Sequence, residues 1–129
     1  MANWDTLRQH IAKNYKISKD EGDLLGLLFQ VEGGRTQLVF VRKMMLGNYE
    51  WAEISTPVCK ESDITPKDAM VRNGAMVVGG LCLRDDMVMF RHALPLKDLD
   101  IDEFEVPFQL SVAYGDQLEK EITGGQDRF

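Results

Sequence analysis

The chain has 129 residues, 44% hydrophobic and 28% charged, ordinary proportions for a globular protein long enough to bury a core without metal or disulfide staples. Its 21 acidic and 15 basic residues leave a formal net charge of −6, the reverse of the Lys and Arg surplus that phosphate-backbone binding demands, so nucleic acid is not an expected partner. Nothing near Met1 pairs a basic region with an apolar run, and the apolar stretches fall well short of the roughly 20 residues that span a bilayer. With two cysteines, Cys59 and Cys82, the expectation is a reduced, cytoplasmic protein that does not enter a membrane.

The first predicted element is a helix from Trp4 to Tyr15. Trp4, Leu7, Ile11 and Tyr15 fall on one face at helical spacing. Asn3 is placed to cap it, and Asp5 suits the positive end of the helix dipole. The polar segment Lys16 to Asp23 reads as a loop. Three strands follow. Leu24 to Val31 is almost continuously apolar, and Gly33-Gly34 supplies the positive φ that a tight turn needs. Gln37 to Leu46 is rich in β-formers. After Gly47-Asn48, Tyr49 to Val58 alternates Ala52, Ile54 and Thr56 against Trp51, Glu53 and Ser55, which predicts one buried and one exposed face.

Cys59 to Thr65 reads as a loop. Thr65-Pro66-Lys67-Asp68 is a helix start, with Thr as cap, Pro in the first helical position and an acid at the third. Asn73-Gly74 stops this short helix. Ala75 to Leu83 and Met87 to Leu94 then form two strands around an Asp85-Asp86 turn. A last helix begins near Ile101, where Asp100 and Glu103 are spaced as a capping box. Its stripe runs Phe104, Phe108, Val112, Gly115, Leu118, Ile122, interrupted by Pro107, which either kinks the helix or starts it. Gly124-Gly125 ends it.

No cluster predicts a reaction. His10 and His92 belong to no His-x-x-x-His or Glu-x-x-His arrangement. The cysteines form no Cys-x-x-Cys, and Cys82 reads as a small core residue. The acidic run Asp98, Asp100, Asp102, Glu103, Glu105 lacks the glycine turn of a calcium loop and reads as helix caps and dipole partners. The glycine pairs sit in no phosphate-binding context. The expectation is no catalytic residue, no cofactor and no metal. Six internal methionines stand out: Met44, Met45, Met70, Met76, Met87 and Met89. Methionine fills irregular cores and also serves surfaces that accept varied partners, and both readings stay open.

Element order and punctuation together carry a resemblance. Met70-Val71-Arg72-Asn73 leads to Gly79-Gly80-Leu81, then Leu94-Pro95-Leu96, Leu99-Asp100 and a closing helix with Val112-Ala113 and Asp116-Gln117-Leu118-Glu119. This progression resembles the type III secretion chaperone-like superfamily, and within it the YbjN-type bacterial domains. Gly115 departs from that pattern, where a small Ala is usual. The resemblance implies a single α+β domain over residues 1–129 in the order α-β-β-β-α-β-β-α, with a five-stranded antiparallel sheet and helices packed against it. It also implies a non-enzymatic protein that binds a protein partner through apolar sheet surface, as a homodimer. Within binding the alternative is a YbjN-type regulatory adaptor; outside it, a small enzyme or ligand-binding domain. The expected partner-binding residues are Phe40, Met44, Tyr49 and Trp51 on the meander, where two aromatics and a Met converge near the Gly47-Asn48 turn. The expected dimer interface is Met70, Val71 and Met76.

Overall fold

The computed structural model describes residues 3–124. The elements in chain order are α1 (Trp4–Asn14), β1 (Ile17–Asp20), β2 (Leu24–Gln30), β3 (Thr36–Leu46), β4 (Tyr49–Lys60), α2 (Pro66–Gly74), β5 (Gly80–Arg84), β6 (Met87–Pro95) and α3 (Ile101–Thr123). The strands form one sheet in the order β1-β2-β3-β4-β6-β5, and every neighbouring pair is antiparallel.

The sheet has six strands where five were expected. The segment read as a loop contains β1, which is short and polar and pairs only with β2 at the sheet edge. One further strand begins later than expected: β5 starts at Gly80, not Ala75. Gly79 explains the delay. Its φ is +68°, and a Cβ there would come within 2.6 Å of the Phe90 ring and 2.7 Å of the Arg91 carbonyl. Only glycine makes that turn against β6. In the other direction, β4 runs on to Lys60, into the expected loop, before the turn Glu61–Asp63.

The caps follow the sequence reading. Asn3 accepts from the Thr6 amide, and Thr65 accepts from the Asp68 amide. Asp100 and Glu103 close a reciprocal capping box. The last helix is continuous through Pro107, and Gly124 ends it in a left-handed conformation; Gly125 lies outside the described residues.

Helices α1 and α3 cover one sheet face. Leu7 and Ile11 of α1 and Phe104, Phe108 and Val112 of α3 pack on Leu25, Leu27, Val39, Val41, Ala52 and Ile54. A second apolar cluster on the same face joins Val58, Val88, Phe90 and Leu118. Between the two clusters lies a polar seam. Gln37 donates to Thr56 Oγ1 and, at 3.3 Å, to the Pro57 carbonyl, while Thr56 donates to the Leu38 carbonyl at 2.6 Å. Beside it, Arg35 pairs with Asp116 of α3.

Gly115 sits on this seam. A Cβ there would lie 2.5 Å from Thr56 Cγ2 and 2.9 Å from Gln37 Nε2. The glycine is therefore a packing requirement and not merely a weak point in the helix. Helix propensity alone makes Gly115→Ala stabilising by about 1 kcal/mol. Overpacking a closed contact costs about 1–3 kcal/mol, so the net expectation is a lower urea midpoint for this variant, measured by chemical denaturation.

Candidate functional site

The two helices leave the other sheet face bare, and strand alternation dictates what it carries. The register places Phe40 opposite Ser55, Arg42 opposite Glu53, Met44 opposite Trp51 and Leu46 opposite Tyr49. All four expected partner-binding residues thus share this face. Phe40, Met44 and Trp51 are half-buried, and Tyr49 is exposed with Lys97 Nζ 5.7 Å from its ring centroid. Phe40 also pairs with Gly26 on β2, and its ring lies against the space a Gly26 side chain would fill.

The expected exposure of Glu53 and Ser55 is overturned. Glu53 is 1% exposed and Ser55 2%. Both lie on the face away from α1 and α3, and three arginines surround the Glu53 carboxylate. Arg91 Nε donates to Glu53 Oε2 at 2.7 Å, Arg84 Nη2 to the same oxygen at 3.2 Å, and Arg42 Nη2 reaches Oε1 at 3.3 Å. Burial alone would raise the Glu53 carboxyl; the hydrogen bonds from Arg91 and Arg84 and the charges of Arg42 and Arg84 outweigh it and hold the group below the usual carboxylate range.

The geometry of this cluster reports the shape of the sheet. Arg84 stands opposite Met87, and Glu53 opposite Ala93. On a straight β6 those rows would be roughly 20 Å apart at about 3.3 Å per residue. Since the ion pair nevertheless closes, the sheet is bent or twisted here and not flat. The register of β4 shifts between Pro57 and Cys59, the kind of irregularity at which a strand bends. Here lies a hollow of about 270 Å³, lined among others by Phe40, Ser55 and Met89 and flanked by Arg42, Arg84 and Lys19. Cys82, read as core, faces this side too and is half-buried; neither cysteine is in a disulfide.

A second apolar surface lies on α2 and the sheet edge. Met70 is 74% exposed and Val71 66%. Met76, grouped with them from sequence, is instead partly buried against the Val58–Phe90 cluster. Val77 and Leu83 are exposed nearby, and a groove of about 290 Å³ runs between Ile64, Ala69 and Met70 on one side and Leu81, Leu83 and Val88 on the other. Asn73 ties α2 to β5 by accepting from the Leu81 amide at 2.6 Å and donating to its carbonyl at 3.3 Å.

The histidines are held in structural bonds. His92 Nδ1 accepts from the Gly79 amide at 3.1 Å, and burial, with Arg91 nearby, pushes its pKa down. His10 Nε2 lies 2.6 Å from Glu105, which also accepts from the Tyr15 hydroxyl, tying α1 to α3. Burial and the Glu105 carboxylate push Tyr15 up to about 12. Among the described residues no group of three or more His, Cys, Asp or Glu side chains is placed to hold a metal ion, and no helix is long and apolar enough to cross a membrane.

These features define an α+β protein with an antiparallel sheet, helices on one face and a bare face opposite. The same fold occurs in a chain of a solved structure described as the HopA1–SchA chaperone–effector complex. The match has a TM-score of 0.63 at 9% identity and covers 90% of this chain and 88% of that one. No family model matches the sequence, and no curated protein matches it.

Glu53 supplies a pH test. Its folded pKa is depressed, so its stabilisation is present above the unfolded value of about 4.3 and is lost as pH falls through the lower folded value. The stability of the wild type should decline as pH drops below about 4.3. Glu53→Gln should start less stable at neutral pH and show a flatter acid limb, read from thermal midpoints across pH 2–7.

Proposed function

We propose that this protein works by binding and not by catalysis, as a cytoplasmic chaperone-like domain that holds or recognises a segment of a protein partner on its bare sheet face. The observation that carries the reading is the strip formed by Phe40, Met44, Trp51 and Tyr49 on a face that neither α1 nor α3 covers. A row of large apolar side chains at strand spacing offers alternate pockets to an extended chain. The fold shared with a chain of a chaperone–effector complex supports the same reading. The charged cluster around Glu53, set within the strip, favours selective recognition over indiscriminate holding. To that extent it supports the second reading, a regulatory adaptor of the YbjN type.

The reading includes a homodimer. The exposed Met70, Val71, Val77 and Leu83 sit beside the edge strand β5, and an apolar patch next to an unpaired edge gains most from being covered. Met76 contributes from below, through its packing on the Val58–Phe90 cluster.

Two measurements test these statements. A pull-down from the native cell should recover a partner with the wild type and lose it with Trp51→Ala or Met44→Asp, while thermal midpoints stay within a few degrees. If both variants unfold instead, the strip is core and the binding reading fails. Light scattering at tens of micromolar should return twice the 14.7 kDa chain mass. Val71→Asp should return the single mass, and a monomeric wild type would refute the dimer.

A further inference from the structure

Three arginines around one carboxylate are more than the carboxylate needs. Each guanidinium has five N–H donors, fifteen in all, against about four lone-pair sites on Glu53. Among the described residues, the side-chain hydrogen bonds and ion pairs of Arg42, Arg84 and Arg91 all end on Glu53. A single bidentate arginine would neutralise that charge. The three arginine side chains remain 44%, 40% and 35% exposed, and the hollow beside them is lined by Lys19, itself paired with Glu21 at 3.3 Å, and by no acid other than Glu53. A surplus of positive charge is thus concentrated at one point on a chain whose net charge is −6. Solubility does not call for it, since the rest of the chain is already strongly charged in the opposite sense.

The spacing of the neighbours indicates the shape of what fits. On β3, Phe40, Arg42 and Met44 occupy alternate positions on the bare face, so an apolar, a cationic and a second apolar group succeed one another at roughly 6.6 Å intervals. An extended chain laid along them has the same period. We infer that the bare face recognises an extended peptide segment with the alternating pattern apolar–x–acidic–x–apolar, its carboxylate bound by Arg42, Arg84 and Arg91 and its flanking side chains seated against Phe40 and Met44. Glu53 is then a positioning residue: it holds the guanidiniums together against their mutual repulsion and fixes their planes. Charge complementarity selects the acid, and the apolar neighbours select its flanks. The inference rests on the proposed binding role and specifies the chemistry of the partner.

The test uses two fluorescein-labelled synthetic peptides, one containing Leu-Thr-Asp-Thr-Leu and one with Asn in place of Asp, read by fluorescence anisotropy against the full chain. The expected result is at least a tenfold preference for the Asp peptide, the order expected of a hydrogen-bonded charge, shrinking as salt is raised. Arg42→Gln should bring the Asp-to-Asn ratio close to one, and Arg42→Lys should restore part of it. Arg42 is chosen because Arg84 and Arg91 still hold Glu53 in that variant, and an unchanged thermal midpoint checks this. Equal binding of the two peptides to the wild type would overturn the acidic preference while leaving the apolar strip as a binding face. No binding of either peptide at millimolar concentration would overturn the inference itself, with the native-cell pull-down judging the broader reading separately. Displacement of the Asp peptide by an equal concentration of inorganic phosphate would also overturn it, by assigning the arginines to a free anion.

Discussion

The close approach of α3 to β4 at Gly115 is the contact on which the rest of the arrangement depends. With no side chain at that position, the helix backbone meets Thr56 directly, and the 23-residue helix lies along one sheet face. Phe104, Phe108 and Val112 are thereby delivered to one apolar cluster and Leu118 to the other. Together with α1, α3 covers that one face, while α2 sits at the β5 edge with Met70 and Val71 exposed. The opposite face has to manage its own exposure.

It does so with charge. Four strands contribute to the network around Glu53: Arg42 from β3, Glu53 from β4, Arg84 from β5 and Arg91 from β6. Long arginine stems can cover apolar surface while their heads stay near water, and Arg42 and Arg84 line the same hollow as the buried Ser55 and Met89. Breaking one partner of a buried ion cluster costs far more than the cluster contributes in comparison with an apolar core. The network is thus weak evidence for stability and better evidence for a surface kept polar at one place.

The long elements were legible in the sequence because each combined a period with punctuation. α1 had its stripe and Asn3, α2 had Thr65 and Pro66, and α3 had Phe104 to Leu118 and its capping box. β1 was not legible: Ile17-Ser18-Lys19-Asp20 has a single apolar residue and is held only by pairing to β2. The start of β5 was misplaced because Ala75 to Val78 is apolar enough to read as strand, while the turn is dictated by Gly79 meeting Phe90 in three dimensions. The bare face was legible in part. Alternation grouped Phe40 with Met44 and Tyr49 with Trp51, but only the position of the helices shows which side they occupy. The arginine cluster had no signal at all. Its members are spread over about 50 residues of sequence, and each reads singly as an ordinary outward-facing charge.

The polar seam of Gln37 and Thr56 has a thermodynamic consequence. Two apolar clusters separated by hydrogen-bonded side chains need not melt as one body, because few apolar contacts pass directly between them. The half made of α1, β2 and β3 and the half made of β5 and the end of α3 are candidates for separate cooperative units. What couples them is the continuity of β4, β6 and α3, which thread both clusters. Opening the β5 edge would leave the larger cluster intact and so cost less than unfolding the whole sheet, with the Arg84–Glu53 pair among the contacts it gives up.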